Sequence, residues 1–294
     1  MQKRNIYFKS SFSKAEFELV KSKKKLYLKK KIHNPNLRDF QSILKNNIMI
    51  KELKIKNLKI PKIDVKNYKE LFKKKYYKLI YLEGHSGELI ILNSGLKEVI
   101  LIKNFLHDYF IFISEKIVWI KIDQNIFHKK LSEIEKRIKI SELKNFFKGK
   151  KKFMKKKIDK ISVYPTGMCH GDLTLSNMIL KKNKICLIDF LKTYNDGILQ
   201  DLSKVYQEFV LGWSSRQLSE QEKLRSKIIC KKIINKKFFD LFSKKILKHL
   251  HFEILMTLFR IFPYVNKNDY LTIKWLKNSI NYVLKIKKQY HMNI

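Results

Sequence analysis

Three polar side chains in one short stretch carry the chemistry open to this sequence: Asp172, Asn177 and Asp189. The stretch runs His170-Gly171-Asp172-Leu173-Thr174-Leu175-Ser176-Asn177 and continues to Ile188-Asp189-Phe190. Between them, Met178 to Lys181 and Lys184 to Ile188 are apolar-rich runs separated by Lys182-Asn183, which can serve as a two-residue hairpin loop. Pairing Lys181 with Lys184 places Asn177 opposite Ile188 and Ser176 opposite Asp189. With strands under about 5 Å apart, Asn177 and Asp189 then come within reach of one cation. A carboxylate and an amide oxygen suit Mg²⁺, a hard ion that prefers oxygen ligands and keeps several waters. Asp172 would stand at the mouth of the loop, where a hydroxyl can approach. The plain alternative is that Asp172 and Asn177 cap turns and Asp189 ends a strand.

The spacing from Asp172 to Asn177 equals that of H-R-D-x-x-x-x-N, the catalytic loop of kinases. Gly171 in place of Arg, and Leu191 in place of the Gly of D-F-G, separate the stretch from protein kinases. With those substitutions it resembles the aminoglycoside phosphotransferase and choline kinase-like family. That resemblance implies Mg-ATP-dependent phosphorylation of a hydroxyl on a small molecule, such as an amino alcohol or a sugar. It implies Asp172 as the group that orients the attacking hydroxyl by accepting its hydrogen bond, and Asn177 and Asp189 as the metal ligands. His170 would pack beneath the loop rather than act as a base. The fold implied is α+β, two-lobed and protein-kinase-like: a small antiparallel sheet lobe over residues 1–82 and a mostly helical lobe over 83–294.

The elements that must position these residues are partly legible. Ile6 to Lys9, Phe17 to Lys21 and Leu26 to Ile32 read as three strands. In the resembling family the first link, Ser10 to Lys14, lies over the phosphates; here it has no glycine, so the close approach that Gly permits is lost. The second link is the Ser22-Lys23-Lys24-Lys25 turn. On the third strand Lys29 matches the spacing of V-A-I-K, with Lys31 on the same face as the alternative. Asn36 can cap a helix from about Leu37 to Asn46, whose Asp39 or Gln41 stands where kinases carry a Glu. The apolar strand from Tyr76 to Gly84 resembles the hinge between lobes. Its backbone at Tyr81 would meet adenine, and Leu79 and Leu82 would flank the ring, although Ile80 replaces the Glu of the family pattern. An ordinary edge strand is the alternative there.

From about Gly87 the pattern turns helical. Leu96 to Ser114 is apolar nearly all round, and Ile126 to Ile138 and Ser141 to Lys155 are amphipathic. Met168 to His170 reads as a short buried strand. Asp201 reads as the N-cap of a helix to about Val210, and the resemblance adds support of the catalytic loop. Trp213 and Arg216 form a cluster that packing explains, or that contacts the acceptor. Glu220 to Ile234, Phe238 to Phe262 and Asn268 to Lys288 complete the helices.

Composition bounds the alternatives. The 294 residues carry a formal net charge of +39 and are 45% hydrophobic, which excludes a disordered chain. Such charge fits nucleic acid or an anionic surface. Lys, Ile and Asn are also what A/T-rich codons specify, so the charge by itself names no partner. The run Lys148 to Lys157 is a solvated basic face or a contact for phosphate-rich partners. A basic polyanion-binding protein with a vestigial kinase site therefore stays open beside the phosphotransferase, as does a protein kinase, disfavoured because no A-P-E follows Asp189. No specific nucleic acid is expected, and association with anionic surfaces would be weak. Three cysteines without C-x-x-C spacing read as reduced, packed thiols in the cytoplasm. No secretory signal or membrane span is expected.

Overall fold

β-branched and aromatic residues at alternate positions make the first strands, and helical periodicity takes over after Gly87. The computed structural model describes residues 16–22, 25–93 and 95–286. In chain order come β1 (Phe17–Ser22), β2 (Lys25–Lys31), α1 (Leu37–Glu52), β3 (Leu58–Lys59), α2 (Tyr68–Lys74), β4 (Tyr76–Ile80) and β5 (His85–Ser86). Then follow α3 (Gly87–Asn93), α4 (Leu96–Ser114), β6 (Val118–Lys121), α5 (Asn125–Arg137), α6 (Ser141–Ile158) and β7 (Val163–Thr166). A 3-10 turn (Leu175–Asn177) leads into β8 (Met178–Lys181) and β9 (Lys184–Leu187). The chain closes with α7 (Ile198–Val205), a π-helical turn (Tyr206–Val210), α8 (Glu220–Ile233), α9 (Lys236–Phe239), α10 (Lys244–Phe259) and α11 (Tyr270–Ile286). The expected strand Ile6 to Lys9, the Ser10 to Lys14 link and Lys23-Lys24 of the second turn lie outside the described residues.

The chain divides into two compact units. Residues 1–87 and 176–192 form the first; 88–175 and 193–294 form the second. A division at residue 82 assigns 176–192 to the second lobe, whereas hydrogen bonding joins that segment to the first. The reason is strand pairing: β8 pairs antiparallel with β5, and β9 pairs parallel with β3, in the order β3-β9-β8-β5. The other sheet of this unit is antiparallel, ordered β1-β2-β4. Its inner face packs on a core of Ile43, Ile63, Val65, Leu71, Tyr77 and Leu79, with Leu28 and Phe40 against it. Gly84 is needed for close approach, because a Cβ there would stand 2.5 Å from the Leu180 carbonyl oxygen.

Helices dominate the second unit. α4 buries Val99, Ile102, Leu106, Tyr109 and Ile113, one face at helical spacing, and α10 is buried nearly all round. Aromatic rings knit the helices together. Phe127 meets Tyr164 and Phe252 at 5.3 and 5.1 Å between centroids, and Phe147 meets Phe259 at 5.1 Å. Two expectations are corrected in this unit. The strand falls at Val163–Thr166, paired with β6, and Met168 to His170 is irregular. Phe238 to Phe262 is broken into α9 and α10, because Ser243 caps a new helix through the Ile246 amide. No described helix is long and apolar enough to cross a membrane.

Candidate active site

In the first unit the hairpin is in the expected register. Lys181 pairs with Lys184, and the Ile188 amide donates to the Asn177 carbonyl at 3.1 Å. Asn177 is 8% exposed, and Asp189 follows two residues beyond the end of β9. Asp189 has φ 58°, a left-handed conformation that Asp tolerates better than bulky residues. That turn takes the chain off the strand direction at Asp189. Backbone strain at a non-glycine residue of this kind is concentrated at functional sites.

Lys30, not Lys29, meets this carboxylate. Its Nζ lies 2.7 Å from Asp189 Oδ1, whereas Lys29 pairs with Glu18 at 3.1 Å and sits over the Tyr76 ring. Alternation explains the correction. Lys30 shares the face of Leu28, which packs on the core, and Lys29 shares the opposite face with Tyr27 and Lys31. Lys31 pairs with Glu16. Burial disfavours the Lys30 charge, but Asp189 and Tyr77 outweigh it and hold the ammonium above the ordinary lysine range. Burial pushes the Tyr77 hydroxyl up to about 12.

Helix α1 holds the segment that follows Asp189. The Lys192 amide donates to Ser42 Oγ at 2.8 Å, Arg38 Nε to the Lys192 carbonyl at 2.8 Å, and Lys45 Nζ to the Leu191 carbonyl at 2.8 Å. These three residues lie on one helix face, at i, i+4 and i+7. Asp39 is engaged elsewhere: with Asn36 it forms the capping box that starts the helix. Of the residues expected around adenine, Leu79 is in the core, and Tyr81 and Leu82 are half-buried just past β4, with the Tyr81 amide bonded to the Leu26 carbonyl at 2.9 Å.

In the second unit, Asp172 sits in a loop held from α7. The buried Asp201 accepts from the His170 amide at 2.6 Å, the Gly171 amide at 2.7 Å and the Tyr109 hydroxyl at 2.5 Å. The N-cap is Gly197, so Asp201 lies inside the helix and does not cap it; loop support is its contact. Gly171 has φ 88°, which a side chain at this position would strain. His170 is fully buried, and its Nδ1 accepts from the Asp172 amide at 3.2 Å, which fits the tautomer with hydrogen on Nε2. Lys204 Nζ lies 3.0 Å from Asp172 Oδ1. Burial alone would raise the Asp172 carboxyl; the Lys204 charge outweighs it, with His170 and Arg260 adding to it, and holds the group below the ordinary aspartate value.

Trp213 is buried, 5.0 Å from the Trp275 ring, and the Arg216 guanidinium stacks 3.6 Å from its centroid. Arg216 also donates to Thr272 Oγ1 at 3.0 Å and to the Trp213 carbonyl at 2.8 Å. These contacts are packing contacts, and they leave acceptor recognition by either residue as an expectation from sequence only.

A neighbouring cluster was not legible in the sequence. Ser214 Oγ lies 2.5 Å from Glu208 Oε2 and 3.0 Å from Glu88 Oε1. A hydroxyl has one hydrogen, so one of the two carboxyls must donate. Glu208 is 1% exposed, and burial pushes its carboxyl up to about 8, the Glu88 charge adding to the shift against the Ser214 bond. Between the ordinary 4.5 and about 8 the folded protein keeps a proton that the unfolded chain releases. The resulting stability is fully present below the lower value and declines as pH rises through the upper one. Glu208→Gln cannot titrate, so its melting temperature is expected to gain on the parent's as pH rises across that window. A constant difference would show that Glu208 is ionised in the folded protein.

No family model matches the chain, and no curated protein matches it. Solved structures do. A thermostable mutant of aminoglycoside phosphotransferase APH(4)-Ia in its apo form gives a TM-score of 0.58 at 9% identity, covering 98% of this chain and 96% of its own. Glucosamine kinase in complex with glucosamine, ADP and inorganic phosphate gives 0.57 at 9% identity, covering 94% and 78%. Spectinomycin phosphotransferase APH(9)-Ia in complex with ADP and spectinomycin gives 0.52 at 14% identity, covering 98% and 92%. The chain has the fold of these kinases. Within this kinase-like fold the β2 lysine that pairs with Asp189 is Lys30, and α1 contributes a clasp on residues 191–192.

Proposed function

We propose that the chain is a Mg-ATP-dependent phosphotransferase acting on a hydroxyl of a small molecule. The observation that carries this reading is the Lys30–Asp189 pair at 2.7 Å, a strand lysine facing a carboxylate at the end of the β8–β9 hairpin. In this reading Lys30 binds the nucleotide phosphates when Asp189 turns to a metal. Asn177 and Asp189 would hold Mg²⁺: one amide oxygen and one carboxylate are the hard donors that this ion takes while it keeps waters. A bound Mg²⁺ supplies charge neutralisation on the phosphates.

Asp172 accepts the hydrogen bond of the acceptor hydroxyl and then its proton. The acceptor oxygen bonds to the γ-phosphorus, and the bond from that phosphorus to the ADP oxygen breaks. Positioning matters more than basicity in such a loose transition state. Small acceptors, an amino alcohol or a sugar, are favoured by Gly171 and by the solved kinases of this fold, whose complexes carry glucosamine or spectinomycin. Three buried cysteines outside any disulfide and the use of ATP fit the cytoplasm. The second reading, a polyanion binder with a vestigial site, is favoured by the net charge of +39.

The test is a melting curve with ATP, with and without Mg²⁺, for the parent and Asp189→Ala. Ligand at 100 times its dissociation constant adds about 2.7 kcal/mol. Mg-dependent stabilisation in the parent and its loss in the variant are expected. No shift in the parent would overturn the phosphotransferase and leave the polyanion binder.

A further inference from the structure

The catalytic-loop segment between Asp172 and Asn177 is Leu173-Thr174-Leu175-Ser176, which carries no positive charge. Leu173, Thr174 and Leu175 are buried. A carboxylate that must receive a hydroxyl therefore finds no cation in its own loop, in a chain where lysines abound. One is supplied from outside. Lys204 of α7 lies 3.0 Å from Asp172 Oδ1, with its side chain 14% exposed.

The placement is tied to the loop by more than this ion pair. Asp201 and Lys204 stand three residues apart on α7, and residues at that spacing share a helix face. Asp201 grips the backbone amides of His170 and Gly171, so the same helix face fixes the loop's main chain and its reacting carboxylate. An exposed pair of this kind contributes little to stability and samples many geometries. A half-buried ammonium on a rigid helix instead holds the carboxylate in one geometry.

We propose that Lys204 is a positioning residue for the phosphoryl transfer: its ammonium holds Asp172 by Oδ1 and so fixes the carboxylate that receives the acceptor hydroxyl. The inference rests on the phosphotransferase reading. The lowered Asp172 carboxyl agrees with it, since Lys204 is the largest influence opposing burial.

The experiment uses the full chain with Mg-ATP, water serving as acceptor while the natural one is unidentified. Parent, Lys204→Ala and Lys204→Arg are compared for kcat and for KM of ATP, and their melting curves are recorded. Misplacing a reacting group by about 1 Å costs on the order of 10²-fold, so Lys204→Ala is expected to lose about that in kcat with KM little changed. Lys204→Arg should retain most activity, and added methylammonium should restore part of it to the Ala variant. Loss confined to KM, or kcat within about threefold of the parent, overturns the role of Lys204 and leaves the phosphotransferase standing. If Ala and Arg variants lose activity alike and methylammonium restores none, Lys204 is structural. A parent that neither hydrolyses ATP nor is stabilised by Mg-ATP overturns the phosphotransferase itself. In that case carbon NMR of the Asp172 carboxyl, in the parent and in Lys204→Met, still decides the contact. A titration that rises in the variant sustains it, and an unchanged one removes it.

Discussion

Asp172→Asn is expected to lower kcat by about 10²–10⁴-fold while sparing the stabilisation by Mg-ATP. The side chain keeps its size, and its remaining carbonyl oxygen can still accept from Lys204, 3.0 Å away in the parent. What it loses is the capacity to take a proton, so an effect on kcat without one on nucleotide binding isolates that role. The checks are single-turnover assays beside the melting curves already described. Activity near the parent's would mean that another group receives the proton, and the buried His170 would not qualify, because its Nδ1 already accepts from the Asp172 amide.

The second large effect is on stability. Asp201→Ala leaves the His170 and Gly171 amides and the Tyr109 hydroxyl without their carboxylate acceptor, all in a buried setting. Removing one member of such a buried, charge-centred network costs about 3–5 kcal/mol, because each stranded donor keeps its desolvation penalty. Denaturant unfolding should show that loss. Tyr109→Phe, which deletes one donor and leaves the two amides bonded, should cost only about 1 kcal/mol more than its packing change. Equal losses in the two variants would place the stabilisation in Tyr109 packing and not in the Asp201 network.

Residues near one another in sequence were readable, and residues brought together by tertiary folding were not. The β8–β9 register followed from apolar pairing and a two-residue loop, both local, and so Asn177 fell opposite Ile188 as the alternation requires. Strand faces and motif spacing point to different lysines. Spacing to a motif selected Lys29, whereas the face shared with Leu26 and Leu28 would have selected Lys30, since the apolar face of a half-buried strand is the one turned inward. Asp201 binds the His170 and Gly171 amides and does not cap its helix: a polar residue near a helix start looks the same in sequence whether it binds its own helix or a distant backbone. Lys204 gave no signal at all. Among so many lysines only a packed helix face distinguishes Lys204, which reaches Asp172.

The strand order β3-β9-β8-β5 has a consequence for how this protein comes into being. β8 and β9 belong with strands synthesised before Gly87, yet residues 88–175 must leave the ribosome first. Until residue 192 emerges, β3 and β5 have no neighbours, and unpaired strand edges are templates for association with other chains. The first unit thus cannot finish folding until much of the second has been synthesised, unlike an N-terminal domain of separate sequence, which folds as it emerges. The helical unit in turn is interrupted by the hairpin and completed only by α7 to α11. Nascent chains of this protein must therefore pass a long interval with both halves open, until residue 192 lets the first close.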